Sequence, residues 1–255
     1  MHINKVEILF LQTFDNDPFF NMAMDDYFLN CVESGKFNGV LRFYTWKPAS
    51  ISLGYYQKTS NFNLDLIKND NIEVVRRISG GNAIFHCNDF TYSLILKKDI
   101  YDIGTKKDYY FFIANILKKA CENIGFNCTV KEELDILKND PDCFFSTSQY
   151  EIVDSNGAKI IGSAQKMLKN SFLQHGSFFY NYNSSMILKY LNNKDIQIEI
   201  EAQKTISLDE IKLSFKNNFL EYFLLKEYFI SQEEQKEIEN IVNNKYSKKE
   251  WNFRK

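Results

Sequence analysis

Residues 76–86 read Arg76-Arg77-Ile78-Ser79-Gly80-Gly81-Asn82-Ala83-Ile84-Phe85-His86. Two arginines end a strand-like run over 72–77, a Gly-Gly pair lets the backbone turn sharply, and an apolar strand resumes at Ala83. The segment fits neither G-x-x-x-x-G-K-[ST] nor G-x-G-x-x-G, so no standard nucleotide loop is present. Glycines at such a turn let a ligand approach main-chain N–H groups closely, and the arginines can hold a phosphate or carboxylate. From local composition alone, a tight turn with two solvated arginines fits equally well.

Working outward, strand-like runs are expected over 6–11, 40–44, 50–53, 83–85 and 91–96. Between the first two, Phe20, Met24, Tyr27, Phe28 and Cys31 recur at helical spacing and predict an amphipathic helix over 20–32. Tyr109, Phe112, Ile113, Ile116, Leu117, Ala120 and Ile124 mark one face of a longer helix. Extended segments over 150–153 and 159–164 flank Ser155-Asn156-Gly157, where Asn and Gly tolerate the positive φ of a hairpin turn. A strand over 172–180 follows, and the last third is expected to be helical. Ser207 with Glu210, and Ser231 with Glu234, match the capping-box spacing. Interspersed strands and helices without strict alternation predict an α+β fold, a mixed, largely antiparallel sheet packed with helices. One domain spanning 1–255 is expected, with its helical C-terminal part starting at about 184.

The chain has 255 residues, 44% hydrophobic and 25% charged, values ordinary for a globular protein. A formal net charge of -2 argues against a broad nucleic-acid footprint. Cys31, Cys87, Cys121, Cys128 and Cys143 are odd in number and form no C-x-x-C pair, which predicts reduced thiols and a cytoplasmic protein. Neither a signal peptide nor a membrane-spanning run is read. His2, His86 and His175 are isolated, so no metal site is expected.

Three further segments can carry chemistry. Gly162-Ser163-Ala164-Gln165 closes a strand with small residues that can turn N–H groups toward a carbonyl oxygen, though a simple bulge accounts for it as well. His175-Gly176 interrupts an apolar strand, where a histidine is more often structural than catalytic. Cys143, in the polar stretch Asp140-Pro141-Asp142-Cys143, and Cys87, after His86, are rival nucleophiles that composition does not separate.

Taken in order, these pieces resemble the lipoate-protein ligase and octanoyltransferase family, whose core is shared with biotin protein ligases and class II tRNA synthetases. The resemblance is carried by Asn21-Met22-Ala23-Met24-Asp25, Leu41-Arg42-Phe43-Tyr44-Thr45-Trp46, Ser52-Leu53-Gly54-Tyr55-Tyr56-Gln57, the Arg76–Gly81 segment with His86, the Lys159 strand ending in Gly162-Ser163-Ala164-Gln165, and Leu173-Gln174-His175-Gly176-Ser177. It implies that Arg76, Arg77, Ser79, Gly80, Gly81, His86, Gly162, Ser163, Ala164, His175 and Gly176 bind substrate, and that Lys159 contacts the acyl carbonyl.

Within the family, Cys143-Phe144-Phe145 ahead of Tyr150-Glu151-Ile152-Val153 is similar to the cysteine-dependent octanoyltransferases, as is Phe90-Thr91-Tyr92-Ser93 after His86. Lys245-Tyr246 and Trp251-Asn252 resemble the segment closing the core, and no accessory ligase domain is expected. Asn82 stands where a third glycine is common, and Ser146-Thr147-Ser148-Gln149 lacks the family's Pro and Trp. The resemblance thus implies transfer of octanoyl from acyl carrier protein, through a Cys143 thioester, to a lysine of a glycine-cleavage H protein or lipoyl domain, without cofactor. ATP and Mg²⁺ would enter if the chain were instead a ligase; an amidotransferase acting between lipoyl proteins is the third reading.

Overall fold

The computed structural model describes residues 5–101, 104–131, 151–180, 185–192 and 206–254. Its strands are β1 Val6–Asn16, β2 Gly39–Trp46, β3 Ser50–Leu53, β4 Glu73–Arg76, β5 Ile84–His86, β6 Phe90–Lys97, β7 Cys128–Val130, β8 Ile152–Asp154, β9 Lys159–Met167, β10 Ser171–Phe178 and β11 Phe223–Glu227. The helices are α1 Pro18–Glu33, α2 Leu64–Asn69, α3 Lys106–Asn123, α4 Ser185–Leu188, α5 Leu208–Leu220, α6 Gln232–Ile241 and α7 Lys249–Asn252, with a π-helical turn at Val242–Tyr246.

One sheet has the order β11-β1-β2-β6-β10-β9-β8-β7, and a smaller one the order β4-β3-β5. In the large sheet β1 pairs in parallel with β11 and β2, and the remaining neighbours are antiparallel. This is the expected mixed, largely antiparallel α+β architecture.

Side chains alternate along a strand, so the large sheet has two distinct faces. Phe10, Phe43, Tyr92, Leu94 and Phe172 lie in one cluster with Ile113, Ile116 and Leu117 of α3 and Phe215 and Phe219 of α5. Phe43 meets Phe10 and Phe90 edge-on at 5.1 and 5.0 Å between centroids, the arrangement ring quadrupoles favour. Leu9, Leu11, Val40, Ile95 and Leu173 belong to a second cluster with Met24, Tyr27 and Phe28 of α1. Burying each such side chain contributes about 1.5–3 kcal/mol.

Both expected capping boxes form: the Ser207 and Ser231 side chains accept from Glu210 and Glu234 N–H, and each glutamate reaches back to its cap. A cap of this kind stabilises a helix by ~1 kcal/mol. Thr105 and Asp108 make a third box, at the start of α3.

The last third departs from the helical expectation at β11. Phe223-Leu224-Leu225 follows α5 with no Gly or Pro between them, so nothing local ends the helical pattern. A tertiary partner draws the segment out: Phe223–Glu227 pairs residue for residue with Val6–Phe10. Among the described residues no helix is long and apolar enough to cross a membrane.

Candidate active site

Directly opposed residues of an antiparallel sheet share a face. The register therefore sets Arg42, Ser93, His175 and Ala164 in one row across β2, β6, β10 and β9, and Tyr44, Thr91, Ser177 and Gly162 in the next. These rows place polar and small residues in the middle of the face that α1 covers. Burial of polar groups is tolerated when they are wired together, and two chains of hydrogen bonds do this.

The first chain begins at Ser79, whose Oγ lies 2.5 Å from His175 Nε2. His175 Nδ1 is 2.9 Å from Asp25 Oδ2. Asp25 Oδ1 faces the Arg42 guanidinium at 3.3 Å, and Tyr44 Oη donates to Asp25 Oδ2 at 3.3 Å. With Nδ1–H donated to the carboxylate, Nε2 accepts the Ser79 hydroxyl proton. Desolvation alone would raise the Asp25 pKa; the Arg42 charge and the His175 hydrogen bond outweigh it and hold the carboxyl below its ordinary value. For His175 desolvation wins, and its pKa is lowered from 6.5. The imidazole is therefore neutral at physiological pH. Hydroxyl, imidazole and carboxylate stand in the order of a serine acyltransferase, yet Ser79 has no exposed surface. In this arrangement the chain fixes the loop that carries Gly80 and Gly81.

Both groups have folded-state pKa values below their unfolded ones, so the unfolded chain binds more protons and stability falls as pH falls. The His175 contribution is lost below about pH 6.5 and that of Asp25 below about pH 4. Thermal melts from pH 7.5 to 5 should show a falling midpoint, with a shallower slope in His175→Gln. An unchanged slope would remove His175 as the source.

The second chain runs from Ser52 Oγ to His86 Nε2 at 2.8 Å, and from His86 Nδ1 to Asp89 Oδ2 at 2.8 Å. Trp46 stacks on the His86 ring at 3.8 Å between centroids and donates from Nε1 to Thr91 Oγ1. His86 thus ties the small sheet to the large one.

Arg76 and Arg77, read from the sequence as groups that can hold an anion, are engaged by main-chain carbonyls in this structure. Arg76 is fully buried and donates to the main-chain carbonyls of Gly54, Tyr55, Gln57 and Asn252. Arg77 donates to Ser52 O and Oγ and to the carbonyls of Gly80 and Asn82. Burial pulls both pKa values down to about 10, which leaves both charged at neutral pH. The guanidinium groups are internal cross-braces. Trp251 Nε1 donates to Arg76 O and Asn252 Oδ1 accepts from Arg76 N, so α7 braces the same segment from behind.

Glycines bring the remaining pieces together. A Cβ at Gly54 would lie 1.7 Å from Gly81 O, so the two backbones touch. Gly81 has φ +89°, and a Cβ there would meet Ala164 Cβ at 3.7 Å. The Ser79–Gly81 loop consequently rests on the Gly162–Ala164 stretch of β9. A Cβ at Gly176 would come within 2.5 Å of both Gly162 O and Ser163 Oγ. One at Gly80 would meet no described atom within 4 Å. Gly54→Ala should therefore push the loop off β9 and lower activity at this site by about an order of magnitude or more, with overall fold retained by circular dichroism. Unchanged activity would mean the contact is irrelevant to the site.

Lys159 lies over this stretch, its Cδ 3.2 Å from where a Gly162 Cβ would stand, and its Nζ pairs with Glu151 Oε1 at 2.8 Å. Glu151 is buried, while the lysine side chain keeps 31% of its exposure. The β8–β9 hairpin sets this pairing and turns where expected, with Asp154 Oδ1 accepting from Asn156 and Ala158 N–H and Gly157 at φ +85°. Ser163 Oγ lies 2.8 Å from Tyr92 Oη on the opposite face, so its side chain looks away from Lys159. Cys143 and Tyr150 lie outside the described residues. Cys87, the rival thiol, packs against the Ile51, Leu53 and Phe85 cluster, and burial raises its pKa, which disfavours the reactive thiolate.

The model of the lipoyl protein ligase A/B catalytic domain matches residues 17–215. The chain belongs to that family. It is 32% identical to octanoyltransferase LipM of Staphylococcus aureus over 272 residues, 96% of this chain and 98% of that one. Identity to octanoyltransferase LipM of Bacillus subtilis is 30% over 273 residues, with the same coverage. Like these lipoyl ligase-family relatives, the chain is an acyltransferase. Its fold matches that of lipoate-protein ligase A bound with ATP at a TM-score of 0.79 and 21% identity, covering 97% of this chain and 98% of that one.

Asp25, Arg42 and Gly54 join the site although the sequence offers them only as part of the family resemblance. A carboxylate on the apolar face of a predicted helix and an arginine inside an apolar strand are signals of a buried pair. Among the described residues no three His, Cys, Asp or Glu side chains gather to hold a metal ion.

Proposed function

We propose that the chain transfers octanoyl from acyl carrier protein, through a thioester on Cys143, to a lysine of a lipoyl domain or glycine-cleavage H protein. The observation that carries this reading is Lys159, held by Glu151 beside Gly162 on the β9 stretch against which the Ser79–Gly81 loop rests. The full-length similarity to proteins named octanoyltransferase supports the acyl group.

In the first half-reaction the Cys143 thiolate adds to the donor's thioester carbonyl, and the carrier's thiolate leaves. The acceptor amine, deprotonated, then adds to the acyl-cysteine; an amide forms, and the Cys143 thiolate departs and can take up the proton released. Thioester exchange is close to balanced and amide formation runs downhill, so no ATP is consumed. Lys159 supplies the cation beside each oxyanion and favours the thiolate over the thiol. The donor thioester enters over Gly80, where no described atom lies within 4 Å of a Cβ position.

Intact-protein mass spectrometry after mixing the enzyme with octanoyl-acyl carrier protein, without ATP, tests the reading. The expected result is a hydroxylamine-sensitive octanoyl adduct that Cys143→Ala abolishes. Full transfer by Cys143→Ala would remove the nucleophile; octanoylation of a lipoyl domain that requires free octanoate and ATP would make the enzyme a ligase.

A further inference from the structure

We propose that Lys166, Arg254, Tyr55 and Tyr56 form the docking face for an acidic carrier protein that presents its acyl group on a phosphopantetheine arm. This rests on the donor named above. Tyr55 is tied to the site, because its N–H donates to Ser79 O at 2.8 Å. Two cations converge on its ring: Lys166 Nζ at 5.5 Å from the centroid and Arg254 Cζ at 4.0 Å. The Arg254 guanidinium also covers Trp251 at 4.1 Å and donates to Tyr55 O at 3.0 Å. Lys166 is two residues beyond Ala164 on β9 and so shares the face on which the Ser79–Gly81 loop rests. Tyr56 stands 72% exposed beside them.

Lys159, Lys245 and Lys36 each pair with a carboxylate of the chain: Glu151, Asp26 and Glu234 respectively. Among the described residues no ion pair engages Lys166 or Arg254. Two uncompensated cations flanking aromatic rings at the edge of the loop, in a chain whose net charge is -2, make a local positive field. Cations held over rings recognise a diffuse anionic surface or a phosphodiester while keeping little freedom to lose.

The two macromolecules that visit the site differ in what they bring to this face. The donor's arm carries a phosphodiester between the carrier and the thioester. The acceptor delivers a lysine, which is cationic until the moment of reaction and is repelled by the same field. The charge therefore fits the donor.

The test compares wild type with Lys166→Glu and with Lys166→Glu/Arg254→Gln in single-turnover acylation by octanoyl-acyl carrier protein and by octanoyl-pantetheine, which has neither carrier nor phosphate. Reversing one charge should lower kcat/KM for the carrier-bound donor on the order of tenfold and flatten its salt dependence. The rate with octanoyl-pantetheine should stay unchanged. Equal losses with both donors would mean damage to the pocket, and no loss with the carrier would mean no docking there; either overturns the proposal. A loss confined to transfer onto a lipoyl domain would give the face to the acceptor and overturn it as well. Failure of wild type to take octanoyl from the carrier would sink the transferase reading itself, a separate outcome.

Discussion

Arg42→Met should lower the free energy of unfolding by about 3–5 kcal/mol, because it leaves the Asp25 carboxylate buried without its counter-charge. Both side chains are almost fully buried, at 1% and 2% exposure. The Arg42 guanidinium also donates to Asn21 O and lies 3.7 Å over the Tyr44 ring, so the substitution removes three contacts at once. Urea denaturation at pH 7.5 measures the loss. Asp25→Asn added to Arg42→Met removes the stranded charge and should recover part of it, whereas two independent defects would add. A denaturation midpoint in Arg42→Met equal to that of wild type would show that the pair does not hold this face together. The destabilisation should reach the site, because Asp25 orients His175 and His175 orients Ser79.

That chain also shows what a sequence can and cannot yield. The strand-like runs that become β2, β6 and β10, the glycine pair after Arg77 and the serine–glutamate spacings are local patterns, and the corresponding elements and caps are found where they were expected. β11 was illegible because its reason for being a strand lies at Val6–Phe10, more than two hundred residues away. The same limit governs the site. Ser79, Gly81, Ala164 and His175 do meet, but the Asp25–His175 bond spans 150 residues and no local signal pairs them. Arg76 and Arg77 looked like anion ligands because a sequence displays guanidinium groups and hides the carbonyls that satisfy them. Whether an arginine binds substrate or braces a loop depends on burial, and burial is decided by the assembled sheet.

Beyond the proposed nucleophile itself, the largest catalytic effect should come from Lys159→Met, with transfer slowed by about 10²–10³-fold, the range seen when one oxyanion donor is removed. Single-turnover acylation followed by transfer to a lipoyl domain measures it, and activity within tenfold of wild type would remove Lys159 from the chemistry. The control lies in its partner. Lys159 is part-exposed, so its loss uncovers little apolar surface, but it takes from the buried Glu151 a cation 2.8 Å away. Any fall in melting temperature in Lys159→Met should thus come from the carboxylate, and adding Glu151→Gln should restore it. Activity should not return with stability. A double variant that folds like wild type and still transfers octanoyl a hundredfold more slowly separates the two contributions, because the amide repairs the burial of Glu151 and supplies no positive charge to the oxyanion.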